Sequence, residues 1–128
     1  MKEIQKAVIK RGNKFLIVLR SPKAIFFPEH WDFPGGKLEL DEEPFAGIER
    51  EIIEETRLKV KALKVVGVYK MVLKDIPHRF SVYSTKLPLK NKEVELSPEH
   101  TAFRWATKEE ILKLKIEPYM IDYFKEHP

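Results

Sequence analysis

The segment from Gly36 to Leu58 constrains this chain most, because it concentrates negative charge in a protein that is otherwise basic. From Lys37 to Glu55 there are eight acidic and two basic residues, a local charge of −6 in a chain of net charge +4. Carboxylates this close to one another repel. The sequence therefore predicts either a cation site at this segment or an acidic helix face that is simply solvated.

Residues 44–56 have the spacing of an amphipathic helix. Glu51, Glu54 and Glu55 are related as i, i+3 and i+4, so they are expected to be neighbours opposite the apolar face. Mg²⁺ typically binds one or two such carboxylates together with substrate phosphates. Gly47 costs the helix about 1 kcal/mol relative to Ala, which suggests that a ligand or backbone approaches closely there. The apolar face comprises Phe45, Ala46, Ile48, Ile52 and Ile53.

The same segment resembles the signature of the Nudix hydrolases. Arg57 departs from that signature, because the family has there a Gly that ends the helix in the left-handed conformation. Either Arg57 adopts that conformation at a cost of about 1–2 kcal/mol, or the chain leaves the helix differently. The preceding stretch, Trp31 to Glu39, is also similar to the strand and loop that lead into the signature. The matching positions are Gly36, Glu42, Arg50, Glu51, Ile52, Glu54, Glu55 and Leu58.

This resemblance implies hydrolysis of a phosphoanhydride in a nucleoside diphosphate linked to another moiety. It implies Mg²⁺ as cofactor, with Mn²⁺ as a substitute, held by the Gly35 carbonyl and by Glu51, Glu54 and Glu55. Glu51 and Glu55 are the first choice of ligands, and either Glu51 or Glu54 would be the general base. Arg50 would orient a carboxylate or form an ordinary i, i+4 ion pair, two interpretations that overlap.

The two ends of the chain indicate different small-molecule nucleotide substrates. The stretch Leu96–Trp105 resembles the diadenosine polyphosphate hydrolases, in which a Glu at the position of Glu99 reaches the metal. The stretch Phe33–Lys37 is more similar to the nucleoside triphosphate pyrophosphatases. ADP-ribose and nucleotide sugars are alternative substrates. A nucleotide sensor without turnover is a different class of function, although the intact signature residues favour an enzyme.

Further residues are candidates for substrate binding. Lys37 would meet a phosphate or remain solvated. Phe27, with Phe26, would wall a base-binding pocket or fill the core, and core filling is slightly favoured. Tyr83 would stack on a base or belong to the core. Two histidines, His78 and His100, are expected in surface loops.

Periodicity predicts an α/β fold, and the family resemblance implies an α/β/α sandwich around a mixed β-sheet. Glu3–Lys10 and Lys14–Arg20 are expected to pair as a hairpin around a Gly-Asn turn. Glu43 is a weak candidate for the cap of the acidic helix. Further strands are expected at 31–33, at 58–70 with a kink near Gly67, at 80–87 and at 101–106. One helix is expected to be capped by Thr107, and another is expected to begin at Pro118.

Length and composition limit the classes of protein and of site that this chain can represent. A chain of 128 residues suits a single domain over residues 1–128. The absence of cysteine excludes disulfides, thiolate zinc sites and cysteine nucleophiles. No apolar run approaches the roughly 20 residues that cross a bilayer, so a cytoplasmic enzyme is expected. Because Lys and Arg are interleaved with acidic and apolar residues, no polynucleotide partner is expected. The oligomeric state is left open.

Overall fold

The computed structural model describes residues 1–88, 93–98 and 100–128. Within these residues the chain forms eight strands and three helices. The strands are β1 (Lys2–Val8), β2 (Lys10–Arg11), β3 (Lys14–Arg20), β4 (Trp31–Asp32), β5 (Gly35–Lys37), β6 (Lys61–Leu73), β7 (Ile76–Lys86) and β8 (His100–Thr107), and the helices are α1 (Pro44–Thr56), α2 (Lys108–Ile111) and α3 (Pro118–Glu126).

The strands form two four-stranded sheets. The first has the order β5-β1-β7-β6 and is mixed, because β1 runs parallel to β7 while β5 and β6 run antiparallel to their neighbours. In the second sheet β3 pairs with β2, β4 and β8, and every pairing is antiparallel.

Successive residues of the central strands point into two different cores, as the alternation of side chains along a strand requires. Ala7, Leu16 and Tyr83 pack with Ile48 and Ile52 of α1. Their strand neighbours point the other way, toward α2 and α3. These neighbours are Val8, Phe15, Ile17 and Val82, which pack with Ile111, Tyr119, Met120, Tyr123 and Phe124. The helices therefore cover both faces, which confirms the predicted α/β/α layering around a mixed sheet.

The predicted hairpin between Glu3–Lys10 and β3 is wrong for most of its length. Of the first expected strand, only its end, which continues as β2 (Lys10–Arg11), pairs with β3 next to the turn at Gly12. The rest of that strand is β1, which pairs with β5 and β7. The chain passes from one sheet to the other at Ile9, whose carbonyl accepts a hydrogen bond from Leu16 N–H at 2.9 Å. One apolar run thus supplies a strand to each sheet.

A long hairpin of β6 and β7 was only partly expected from the sequence. The register shifts between Val65 and Gly67, so the predicted kink near Gly67 is confirmed as a bulge. The turn at Lys74 and Asp75 was missed. Both residues have positive φ, 48° and 63°, as in the turns that join tight hairpins.

Helix ends follow the sequence signals with one exception. Glu43 caps α1 through its side chain, which accepts hydrogen bonds from Phe45 N–H at 3.2 Å and Ala46 N–H at 2.9 Å. Its expected weakness as a cap is therefore wrong here, because its longer side chain still reaches both donors. Thr107 and Glu110 form the predicted capping box, and α3 begins at Pro118 as expected.

Candidate active site

Helix α1 places its acidic residues at different depths. Its buried residues are Gly47, Ile48, Ile52, Glu55 and Thr56. Glu55 is only 4% exposed, whereas Glu54 is exposed. The expectation that all three glutamates lie opposite the apolar face is therefore wrong for Glu55. It follows Ile52 by three residues, so both side chains lie on one side of the helix.

The short edge strand β5 lies against two of these carboxylates. Gly35 N–H donates a hydrogen bond to Glu55 Oε2 at 3.1 Å. A Cβ atom on Gly36 would overlap the carboxylate of Glu51, and one on Gly35 would overlap the backbone of Gln5 in β1. Residues 35 and 36 follow the strand expected at 31–33, and they form part of a separate strand, β5. Glycine at both positions lets the carboxylates and β1 approach the backbone closely.

Gly47 has a different explanation. A Cβ atom there would meet the side chains of Leu38, Gln5 and Glu42 at 2.8–2.9 Å. The close approach predicted at this position is therefore made by the segment before the helix and by β1, within the protein itself.

Arg50 holds the exposed part of the acidic segment together. Its guanidinium donates to both oxygens of Glu42, at 2.6 and 2.9 Å, and to Glu54 Oε2 at 3.0 Å. It also lies 3.1 Å from Glu51 Oε1 and 3.7 Å from Glu39 Oε1. The hydrogen bonds that Arg50 donates to Glu42 and Glu54, together with the charge of Glu51, raise the pKa of Arg50 although desolvation opposes the rise. Both predicted roles of Arg50 coexist, since it orients carboxylates and forms the i, i+4 pair.

Arg50 and its acidic partners other than Glu42 line a cavity of about 850 Å³. Gly35, Lys37 and all four charged residues from Arg50 to Glu55 lie in its wall, as do four residues that the sequence did not indicate as site residues: Lys6, Arg20, Ser97 and His100. Glu99, the predicted outside metal ligand, lies outside the described residues. His100 was expected in a surface loop, and instead it begins β8 and faces the cavity.

Burial sets the electrostatics of this cavity wall. Burial raises the pKa of Glu55 to about 8, although Lys6 and the Gly35 N–H favour its ionised form. Burial lowers the pKa of His100 to about 4, and the charges of Lys6 and Arg20 act in the same direction. The wall therefore contains a carboxyl group and an imidazole whose charged forms are both disfavoured.

A buried ionic network, which was not predicted from the sequence, includes Lys6 and Arg20 of the cavity wall. Lys6 and Asp32 form an ion pair of 2.6 Å, and Tyr119 O–H donates to the other Asp32 oxygen at 2.5 Å. Arg20 lies 3.3 Å from Asp32 and 3.6 Å from Glu117. Lys6 is one of three charged residues in β1, together with Lys2 and Glu3, so no local signal distinguished it.

Charges in this network are set by desolvation and pairing. Although burial opposes its charge, Lys6 holds the pKa of Asp32 at about 2. Burial would lower the pKa of Lys6, but Asp32, Glu117 and Glu55 raise it. Burial and the Asp32 charge together raise the pKa of Glu117 well above its usual value. The neutral form of Glu117 is therefore favoured, because it lies beside ionised Asp32 in a buried site.

Comparison with known proteins agrees with this arrangement. The NUDIX domain family matches residues 5–126. The chain belongs to the Nudix hydrolase family. A MutT-like protein of Streptomyces ambofaciens is 34% identical over 114 residues, which cover 89% of this chain and 68% of that protein. Human diphosphoinositol polyphosphate phosphohydrolase 3-alpha is 39% identical over 74 residues, covering 58% of this chain and only 42% of that protein.

Solved structures have the same architecture. The MutT protein from Methanosarcina mazei Go1 superposes with a TM-score of 0.88 at 28% identity, covering 97% of this chain and 90% of that one. A Caenorhabditis elegans Ap4A hydrolase superposes with a TM-score of 0.82 over 99% of this chain and 95% of that one. Its 21% identity shows a shared fold alone. The family and structural matches identify this chain as a Nudix hydrolase.

A second, smaller cavity of about 180 Å³ adjoins the first in this Nudix hydrolase. Phe26, Phe27, His78 and Glu117 line it, and Lys6, Arg20 and Lys37 line both cavities. The slightly favoured interpretation of Phe26 and Phe27 as core residues is wrong, since both remain half-buried in this wall. His78 is buried here rather than in a surface loop.

Tyr83 does not have the position that a substrate-binding role requires. Its side chain is 4% exposed and packs edge-on against Phe45, and its hydroxyl accepts a hydrogen bond from Gln5 Nε2 at 3.1 Å. Tyr83 lines neither of the two cavities formed by the described residues. The structure places it in the core beneath α1, which was the other interpretation of this residue.

The acidic residues of the cavity wall offer two carboxylates, rather than a complete ligand set, to a divalent cation. Within residues 1–88, 93–98 and 100–128, no group of three or more acidic, histidine or cysteine side chains is arranged to hold a metal ion. Glu51 and Glu55 nevertheless lie in one cavity wall against Gly35 and Gly36, where a side chain on residue 36 would fill the space. Two carboxylates suffice for Mg²⁺ when substrate phosphates complete the coordination.

No helix of the described residues has the length and apolar character needed to span a membrane.

Proposed function

We propose that this Nudix hydrolase is a Mg²⁺-dependent enzyme that cleaves a phosphoanhydride in a nucleoside diphosphate linked to another moiety. A nucleoside triphosphate or a diadenosine polyphosphate is the preferred substrate. One observation carries the proposal. A single cavity has carboxylates on the α1 side and Lys6, Arg20, Lys23 and Lys37 around the rest of its wall. Carboxylates suit a divalent cation, and the basic residues suit the polyphosphate that it accompanies.

Glu51 and Glu55 would hold Mg²⁺, with Glu54 and the Gly35 carbonyl as further ligands. When bound, the cation would neutralise phosphate charge and lower the pKa of a bound water. Arg50 positions Glu51 and Glu54 through the contacts described above. Either glutamate would accept the proton of the attacking water as general base.

The rest of the substrate would extend toward the second cavity. Lys37 lines both cavities, so it is placed to contact a phosphate between them. Phe27 offers an aromatic surface to a base beyond that phosphate. This arrangement favours a substrate with phosphates at one end and an aromatic group at the other.

A diphosphoinositol polyphosphate is the second candidate substrate, because human 3-alpha phosphohydrolase shares 39% identity with 58% of this chain. That ligand has phosphates but no base. It would use the basic wall of the main cavity and leave Phe27 without a partner. ADP-ribose and nucleotide sugars remain further alternatives, and a nucleotide sensor would bind without turnover.

A substrate panel assayed with Mg²⁺ tests the proposal. Nucleoside triphosphates, their oxidised forms, diadenosine polyphosphates, ADP-ribose, nucleotide sugars and a diphosphoinositol polyphosphate would be compared by their products. We expect turnover of a nucleotide that contains at least two linked phosphates. Binding without products would support the sensor, and preference for the inositol compound would support the second candidate.

Glu55→Gln should lower turnover at least about tenfold, since the variant keeps the size of the side chain but loses its charge. The same variant should lose the gain in melting temperature that millimolar Mg²⁺ gives the wild type. Glu109→Gln, at an exposed position of α2, is the matched control and should retain both properties. Near-normal turnover of Glu55→Gln would contradict the assignment.

A further inference from the structure

Two polar atoms in the wall of the main cavity have no hydrogen-bond partner. Among the described residues, four buried side-chain atoms lack one, and the main cavity is lined by two of their residues, Ser97 and His100. The atoms are Ser97 Oγ and His100 Nδ1. Buried polar groups in native proteins nearly always have partners, so these two call for an explanation.

The backbone fixes both residues next to the acidic helix. Ser97 N–H donates to the Glu55 carbonyl at 3.0 Å, and His100 N–H donates to the Ser97 carbonyl at 3.2 Å. Two residues before Ser97, Glu95 N–H donates to the Thr56 carbonyl at 3.0 Å. Ser97 and His100 therefore keep a fixed position relative to the carboxylate of Glu55.

Acidic and basic residues both line the cavity around this pair, and the acidic ones of α1 are those proposed above to hold Mg²⁺. Lys6, Arg20 and Lys23 line the same cavity. A serine hydroxyl and a neutral imidazole can each donate a hydrogen bond. Phosphoryl oxygens accept such bonds, and they accompany the negative charge that the basic residues attract.

We propose that Ser97 and His100 bind non-bridging oxygens of a substrate phosphoryl group beside Glu55. This inference rests on the proposed function for its substrate class. Both atoms are buried although their residues line the cavity. Binding therefore requires both side chains to reorient toward the cavity.

Calorimetric titration with inorganic pyrophosphate, with and without Mg²⁺, tests the pair. Ser97→Ala and His100→Leu should each weaken binding about fivefold to tenfold, the effect of one lost hydrogen bond. His100→Asn keeps an amide near the position of Nδ1 and should recover part of the loss. Ser84→Ala is the control, since Ser84 bonds to the Lys64 carbonyl. Unchanged affinity in both test variants would overturn the proposal.

Nitrogen-15 spectra of the histidines provide a readout independent of variants and of turnover. On addition of pyrophosphate to the wild type, the Nδ1 signal of His100 should shift, while that of His127, which contacts the Tyr123 carbonyl at 2.9 Å, should not. A protein that hydrolyses nucleotides with an unmoved His100 signal would overturn this inference alone. A shifted signal without hydrolysis of any substrate would support it and contradict the catalytic proposal.

Discussion

Replacing Arg57 by glycine should stabilise the protein. Arg57 ends α1 with φ 64° and ψ 8°, and its N–H donates to the Ile53 carbonyl at 2.9 Å. The sequence left two possibilities at Arg57, a left-handed residue or a different exit from the helix, and the structure has the left-handed residue. The side chain is exposed, so its removal leaves no cavity.

The expected gain is the difference between two effects. A residue with a Cβ atom pays about 1–2 kcal/mol in the left-handed conformation, and glycine removes this cost. Glycine also increases the conformational entropy of the unfolded chain, which costs about 0.4–1 kcal/mol. The net increase in the free energy of unfolding is therefore about 0.5–1 kcal/mol, or about 2 to 5 °C in melting temperature.

Thermal and urea unfolding of Arg57→Gly and Arg57→Ala separate the backbone effect from loss of the side chain. Alanine keeps the Cβ atom, so it should be no more stable than the wild type. A glycine variant that melts at or below the wild-type temperature would refute the strain argument. Equal gains in both variants would show that the arginine side chain itself is unfavourable, which would refute it as well.

Two further predictions concern the charged networks. Arg50→Lys should lower turnover while changing stability little, because a lysine cannot hold Glu42 and Glu54 at once. Arg104→Lys, which alters an exposed ion pair, is the control. Unchanged turnover of Arg50→Lys would contradict the role of Arg50. Glu117→Gln should become stabilising relative to the wild type as the pH rises above 4.5, the ordinary pKa of this group. The raised pKa of Glu117 in the folded protein means that the unfolded chain releases this proton first, so wild-type stability falls with rising pH in that range. If the free energies of unfolding in urea differed by the same amount at every pH from 4 to 8, this prediction would be contradicted.

The fold could be predicted from the sequence wherever a local pattern determines the structure. The capping box at Thr107, the start of α3 at Pro118 and the bulge near Gly67 each depend on neighbouring residues. Strand pairing does not depend on neighbours alone. The run from Glu3 to Lys10 contributes to both sheets, and the parallel pairing of β1 with β7 joins residues that are 76 positions apart, such as Lys2 and His78.

The candidate site was predictable in its acidic half and not in its basic half. A fixed spacing along one helix indicated Arg50, Glu51, Glu54 and Glu55. Lys6 and Arg20 lie on two different strands and meet Asp32 only through the tertiary structure. Tyr83 shows the converse, because an aromatic residue in an alternating strand fits a core and a binding surface equally well until the packing is known.

Arg50 offsets only part of the negative charge of the acidic segment, since the local charge of −6 already includes this residue. Its single positive charge is shared among the carboxylates of Glu39, Glu42, Glu51 and Glu54. Glu55 differs from them, because it is buried and Arg50 makes no ion pair with it among the described contacts. Its neighbours are the Gly35 N–H and the charge of Lys6, which is already paired with Asp32 at 2.6 Å. The argument for a cation therefore depends on the depth of one carboxylate beside Glu51, and Glu55 is the residue at which that argument is decided.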